Sequence, residues 1–186
     1  MSGRGDGLRV DDQPAFILHR RDYGNSSLIL ELLTDDYGRV GVLAKGARKR
    51  RDVGSFQPGS RLAVGWRGHG ELKTLCALES RRIDIPADRY LPLLYVNELL
   101  LALTRRFDPL PGLFSRYQYL LLSLASADLE PALRDFEMSL LSVLGLMPAL
   151  DRDADGQPLE PEGHYRLLPQ SGLQASADGD PAAERG

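Results

Sequence analysis

Between Arg39 and Arg51 the chain places six Lys/Arg residues and no Asp/Glu, in a molecule whose formal net charge is -3. An apolar run, Gly41-Val42-Leu43-Ala44, opens into Lys45-Gly46-Ala47 and then into Arg48-Lys49-Arg50-Arg51. Cationic groups packed this closely repel one another, and a phosphate backbone, which releases its own counterions on contact, is their natural partner. Lys45, Arg48, Lys49, Arg50 and Arg51 are the primary candidates for phosphate contact, with Arg39 and Lys73 flanking them. A solvated basic loop is the plain alternative. Tyr23, Phe56 and Trp66 are the aromatics able to stack on bases, although Phe56 and Trp66 suit a barrel core better.

The other chemistry-bearing residues are less organised. Asp151, Asp153, Asp155, Gly156 and Glu162 follow the D-x-D-x-D-G-x5-E spacing of a calcium loop. Pro158, Pro161 and Gly163 oppose the exiting helix that such a loop needs, so an acidic connecting loop is the preferred reading. His19, His69 and His164 fall on a strand, a hairpin and a loop. No nucleophile elbow, zinc-helix or phosphate-loop motif accompanies them, and no catalytic residue is assigned. Cys76 reads as a small core residue of a strand. Asn97-Glu98, among leucines, reads as a polar pair anchoring a helix, answered by Arg105 or Arg106. The sum is a binding protein rather than an enzyme.

The elements that must position the basic run follow from periodicity. Short β-rich runs at residues 15–21, 27–34, 39–45, 61–66 and 71–78 are separated by Gly-containing turns, the pattern of a small five-stranded barrel. An OB-fold and an SH3-like barrel both fit the strand count. From Asp88 the period changes to about 3.6. Asp88 is the expected N-cap of a helix over residues 89–107, with Leu91, Leu94, Glu98, Leu101 and Arg105 recurring at helical spacing. Helices at 113–125 and 131–144 follow, the last with Leu133, Phe136, Leu140 and Leu144 on its core face. The fold class is therefore α+β: a barrel over residues 14–85, a helical domain over 86–150, a mobile tail over 1–13, and an acidic, Pro/Gly-rich loop with a disordered tail over 151–186.

Charge divides in the same place. Residues 1–85 carry fifteen Lys/Arg against eleven Asp/Glu, and residues 86–186 carry eight against fifteen. A basic barrel beside an acidic remainder implies two units with different partners. One cysteine in 186 residues excludes an internal disulfide framework. No secretory leader or membrane-spanning run is visible, so a cytoplasmic protein is expected.

In order, the chain carries Phe16-Ile17-Leu18-His19, Tyr37-Gly38-Arg39-Val40 leading to Ala44-Lys45-Gly46-Ala47-Arg48, Gln57-Pro58, Gly70-Glu71-Leu72-Lys73-Thr74-Leu75, Tyr95-Val96-Asn97-Glu98-Leu99-Leu100 and Leu133-Arg134-Asp135-Phe136-Glu137. This succession resembles the bacterial DNA-repair family RecO over residues 14–173. The resemblance implies an N-terminal OB-fold, a helical domain, and a nucleoid-associated recombination mediator of the RecF pathway. Such a mediator binds single- and double-stranded DNA, anneals complementary strands, and works with RecR to load RecA onto DNA coated by single-stranded-DNA-binding protein (SSB). It also implies that the helical domain receives the acidic, apolar C-terminal tail of SSB, with Arg134 at the matching position and Arg105, Arg106 and Arg116 as weaker candidates. Many family members carry a cysteine zinc site after the third helix. Here that stretch reads Asp151-Arg152-Asp153-Ala154-Asp155-Gly156, and no metal is expected. The family usually continues into further, often basic, helices where this sequence stops. The rival reading is a protein-interaction adaptor whose acidic loop binds calcium.

Overall fold

A computed structural model describes residues 9–81, 83–126, 129–168 and 171–176. Five strands, β1 (Arg9–Tyr23), β2 (Ser27–Thr34), β3 (Gly38–Ala44), β4 (Arg61–Arg67) and β5 (Leu72–Arg81), close into a barrel in the order β1-β2-β3-β5-β4. All neighbours are antiparallel except β3 and β5, which run parallel with Gly41 opposite Leu72 and Leu43 opposite Thr74. This is the OB-fold order, and it decides between the two barrels left open by strand count. Alternation supplies the core: Leu28, Leu30 and Leu32 of β2 and Val40, Val42 and Ala44 of β3 point inward with Ala15, Ile17, Val64 and Trp66. Full burial of each large aliphatic side chain contributes roughly 1.5–3 kcal/mol.

β1 begins at Arg9, not near Pro14. Val10 pairs with Trp66 and is buried, so residues 9–13 belong to the barrel rather than to a tail. Asp11 and Asp12, with Asp12 at positive φ, mark a register shift against β4 and hide the strand pattern. The part of the expected tail at residues 1–8 lies outside the described residues. A second shift, between Ile17 and His19 against β2, changes which side chains face outward. Before it Phe16 lies opposite Leu33, and after it Arg21 lies opposite Ile29 and Tyr23 opposite Ser27.

Three helices follow, α1 (Tyr90–Leu103) and α2 (Leu113–Ser126) against the outer face of β1 and α3 (Leu129–Val143) packed on α2. Phe16 stacks against Phe114 and Tyr117, with centroids 5.0 and 5.3 Å apart. α1 buries Leu93, Val96, Asn97 and Leu100, whereas the expected stripe is turned away, Leu91 being 77% exposed. Its sequence is apolar on nearly every side, so periodicity alone cannot set its rotation. Asn97 does: its Nδ2 donates to the Leu18 carbonyl at 2.8 Å and its Oδ1 accepts from the Tyr117 hydroxyl at 2.6 Å. Burial pushes the Tyr117 hydroxyl well above the ordinary tyrosine range, keeping it a neutral donor. Glu98 is exposed, and neither Arg105 nor Arg106 answers Asn97. Asp88 does not cap α1. It sits in a short 3-10 turn, Ala87–Arg89, 3.4 Å from the Arg89 guanidinium.

α1 stops at Leu103 because Thr104 is extended and returns its hydroxyl to the Leu100 carbonyl at 2.7 Å. The connector beyond it then pairs with the start of β3, Phe107 donating its N–H to the Arg39 carbonyl at 2.9 Å. In α3 the buried residues are Phe136, Ser139 and Leu140, Leu133 is half-buried, and Leu144 lies past the helix. Barrel and helices pack as one compact unit that ends at Val143. In the second unit, residue 144 onward, β6 (Tyr165–Leu168) and β7 (Gly172–Ala175) form an antiparallel hairpin. β7 thus falls within a stretch expected to be disordered, and residues 170 and 177–186 lie outside the described ones.

Candidate nucleic-acid interface

The basic run leaves β3 as a tethered loop. Gly46, at φ 68°, turns the chain after Lys45, and the 3-10 turn Ala47–Lys49 follows. Ala47 is 1% exposed and Phe56 is fully buried, both within the barrel core, so the loop is anchored at two points. Between the anchors a second 3-10 turn, Val53–Ser55, shortens the path back to β4. The loop is also joined to the β1–β2 turn, because the Arg48 N–H donates to the Ser26 carbonyl at 2.9 Å.

This geometry sends the cations outward. Lys45, Lys49 and Arg51 are exposed and form no ion pair among the described residues. Arg48 is also exposed but lies 3.3 Å from the Asp22 carboxylate and donates to the Gly24 carbonyl at 3.4 Å. Arg50 makes a two-point bond to Asp52, both at 2.8 Å, with its guanidinium 5.7 Å from the centre of the Phe56 ring. That bond holds the Asp52 carboxyl below its ordinary range and raises Arg50.

Two residues not singled out for phosphate contact, Arg21 and Tyr23, are exposed at the same end of the barrel, Tyr23 by 53%. The register shift after Ile17 is what sets them on the outer face, and it interrupts the alternation that would have announced it. Phe56 and Trp66 are core residues, leaving Tyr23 as the aromatic available for stacking.

The flanking candidates lie elsewhere. Arg39 is turned into the molecule: Nη1 donates to the Leu101 carbonyl at 2.5 Å, Nε lies 3.9 Å from Glu31, and the side chain is 15% exposed. Lys73, 6% exposed, donates to the Gly68 carbonyl at 3.1 Å beneath the Phe107 ring, 4.7 Å from its centre. Arg39 thus ties the last turn of α1, and Lys73 the connector after it, to the barrel. Arg106 completes that fastening through a two-point ion pair with Glu31, which raises its pKa further. A Cβ on Gly41 would stand 2.8 Å from the Arg106 guanidinium, so any larger residue there would push that guanidinium aside.

Among the remaining helical candidates, Arg134 is exposed and pairs with Glu137, and Arg105 is exposed. Arg116 donates to the Ser139 hydroxyl at 2.6 Å and borders a groove of about 240 Å³ between α2 and α3, lined also by Tyr119, Leu120, Ala132, Asp135 and Phe136. Cys76, expected in the core, is exposed. In the acidic loop, Asp153 Oδ1 accepts the N–H groups of Asp155 and Gln157 at 3.0 and 2.8 Å, and Asp151 pairs with Arg152. A strand, β6, follows Glu162 where a calcium hand needs a helix. Among the described residues no group of three or more His, Cys, Asp or Glu converges as a metal site, and no helix is long and apolar enough to cross a membrane.

Residues 10–83 match the family described as "Recombination protein O N terminal", and residues 87–185 match "Recombination protein O C terminal". The chain is 40% identical over 174 residues to the DNA repair protein RecO of Halorhodospira halophila, a match covering 92% of this chain and 74% of that one. It is 39% identical over 185 residues to the protein of the same name from Laribacter hongkongensis, covering 96% and 74%. The Vibrio vulnificus protein of that name is 39% identical over 181 residues, covering 94% and 73%.

Proposed function

The chain belongs to the RecO family of DNA repair proteins, and on that premise we propose that it binds single- and double-stranded DNA at the basic end of its barrel and anneals complementary strands there. The observation that carries the reading is the anchored loop, which holds Lys45, Lys49 and Arg51 in solvent beside Arg48 and Arg50. No bond need be made or broken. Neutralising phosphates lowers the repulsion between two strands, so a basic surface can hold both until base pairing selects the match. We assign the protein no enzymatic step, and place its work in the cytoplasm at the nucleoid. Tyr23 adds a ring that stacks on any base without reading sequence.

The reading extends to partners. In the family's scheme the protein acts with RecR to load RecA on SSB-coated DNA, and the groove between α2 and α3 suits an acidic, apolar tail. Its floor is Leu120 and Phe136, and Arg116 at its border is a carboxylate partner. Arg116 fits this role better than Arg134, whose guanidinium faces Glu137, or Arg106, which is committed to Glu31.

The test is a salt titration. With four to five phosphates neutralised, log K for a single strand should fall with log salt at a slope of about -3. Replacing Arg48, Lys49, Arg50 and Arg51 together by alanine should flatten that slope and leave the circular dichroism spectrum unchanged. A variant with the parent's slope would put the DNA elsewhere.

A further inference from the structure

Two exposed carboxylates stand among the cations at the basic end of the barrel. Asp22 closes on Arg48 at 3.3 Å with 63% of its side chain exposed, and Asp52 takes two Arg50 nitrogens at 2.8 Å with 42% exposed. Asp52 precedes a 3-10 turn yet makes no side-chain cap, so its carboxylate does not hold the turn. The cations are positioned by other means. Arg48 is fixed through its backbone N–H on Ser26, and Arg50 lies against the Phe56 ring. A carboxylate bound two-point to a guanidinium has the same fork geometry that phosphate oxygens adopt with it.

We propose that Asp22 and Asp52 are built-in competitors for the phosphate sites: they occupy Arg48 and Arg50 in the free protein and are displaced when a nucleic-acid backbone binds. The proposal rests on the reading of the basic loop as the DNA site and adds how that site is regulated. Lys45, Lys49 and Arg51 make the first contacts, and Arg48 and Arg50 join only when the strand presents enough phosphates to replace both carboxylates. Isolated phosphates are therefore disfavoured relative to a continuous backbone. The carboxylates also recapture the guanidiniums as a strand leaves, which speeds release, a property suited to a protein that must let go of an annealed duplex.

The test compares the parent chain with D22N, D52N and D22N/D52N by fluorescence anisotropy on labelled oligothymidylate, between about 50 and 200 mM salt. The double variant should bind roughly fivefold more tightly. Its salt slope should stay near the parent's, because the same phosphates are neutralised in both complexes once the carboxylates are displaced. Dissociation should slow in proportion. D35N/E79Q carries the same change in net charge at positions on β5 and in the β2–β3 turn, away from the loop, and serves as the control. An equal gain in the control would mean that only overall charge matters and would overturn the proposal. So would a parent chain that binds DNA while D22N/D52N shows no gain. A parent chain that does not bind at all would overturn the DNA reading itself, and this proposal with it.

Discussion

Two groups of cations on one barrel behave in opposite ways. Arg39, Lys73 and Arg106 are each met by a carboxylate, a backbone carbonyl or a ring, and they bind the last turn of α1 and the connector after it to β2, β3 and β5. The second group, Lys45 and Arg48 to Arg51, projects from an anchored loop, and its partners, Asp22 and Asp52, are themselves exposed. The lesson concerns environment rather than residue type. A cation shielded from water must have its partner in the fold, because an unpaired buried charge costs several kcal/mol, whereas an exposed cation can wait for a ligand. The fastened face also includes β2 and β3, the strands on which OB-folds commonly take oligonucleotides. Here that face carries Glu31 under Arg106, which leaves the loop end as the open cationic surface.

The sharpest way to break this division is Glu31→Ala. It removes the carboxylate shared by Arg106 and Arg39 and should destabilise the chain by about 2–3 kcal/mol. Adding Arg106→Met should recover part of that loss, since the stranded charge goes with it. Thermal and denaturant unfolding measure both effects. DNA affinity of the folded fraction should not change in either variant, and a loss of affinity at full folding would move the DNA site onto this face.

Lys73→Met comes next. Methionine keeps the volume beneath Phe107 but removes the hydrogen bond to Gly68 and the cation over the ring, so a loss of about 1–2 kcal/mol is expected. If Lys73 were a phosphate contact, the salt slope would shrink by about 0.7. An unchanged slope with a lowered midpoint is the expected result.

How far the sequence foretold this division depends on chain distance. The strands were legible because alternation and glycine turns are local, and the loop was legible because four consecutive cations exceed what neighbouring side chains can neutralise. The inward turn of Arg39 and Lys73 is not legible locally, because Leu101 in the last turn of α1 and Phe107 in the connector after it are brought to them by the path the chain takes where α1 ends. That end is not set locally: residues 104–107 continue a helical pattern, and the edge of β3 at Gly38 and Arg39 draws them into extended pairing. The rotation of α1 was hidden for the related reason that a helix apolar on all sides carries no phase. Asn97 held the missing signal, since a buried amide within a leucine run must find partners on the neighbouring elements.

The smallest effects on stability, and the finest test of the contrast, come from single substitutions in the loop. Lys49→Ala and Arg51→Ala remove exposed side chains without ion-pair partners among the described residues, so each should alter stability by no more than about 0.5 kcal/mol. Each should nevertheless reduce the salt slope on single-stranded DNA by about 0.7, and the pair together by about twice that, because the contacts are separate phosphates. Arg39→Ala makes the opposite prediction. It leaves the Leu101 carbonyl without its donor and should lower the unfolding midpoint while the slope stays at the parent value. Measured side by side, the three variants set slope against stability. If Arg39→Ala lost slope, or if Lys49→Ala and Arg51→Ala lost stability alone, the line between fastened and open cations would be drawn in the wrong place.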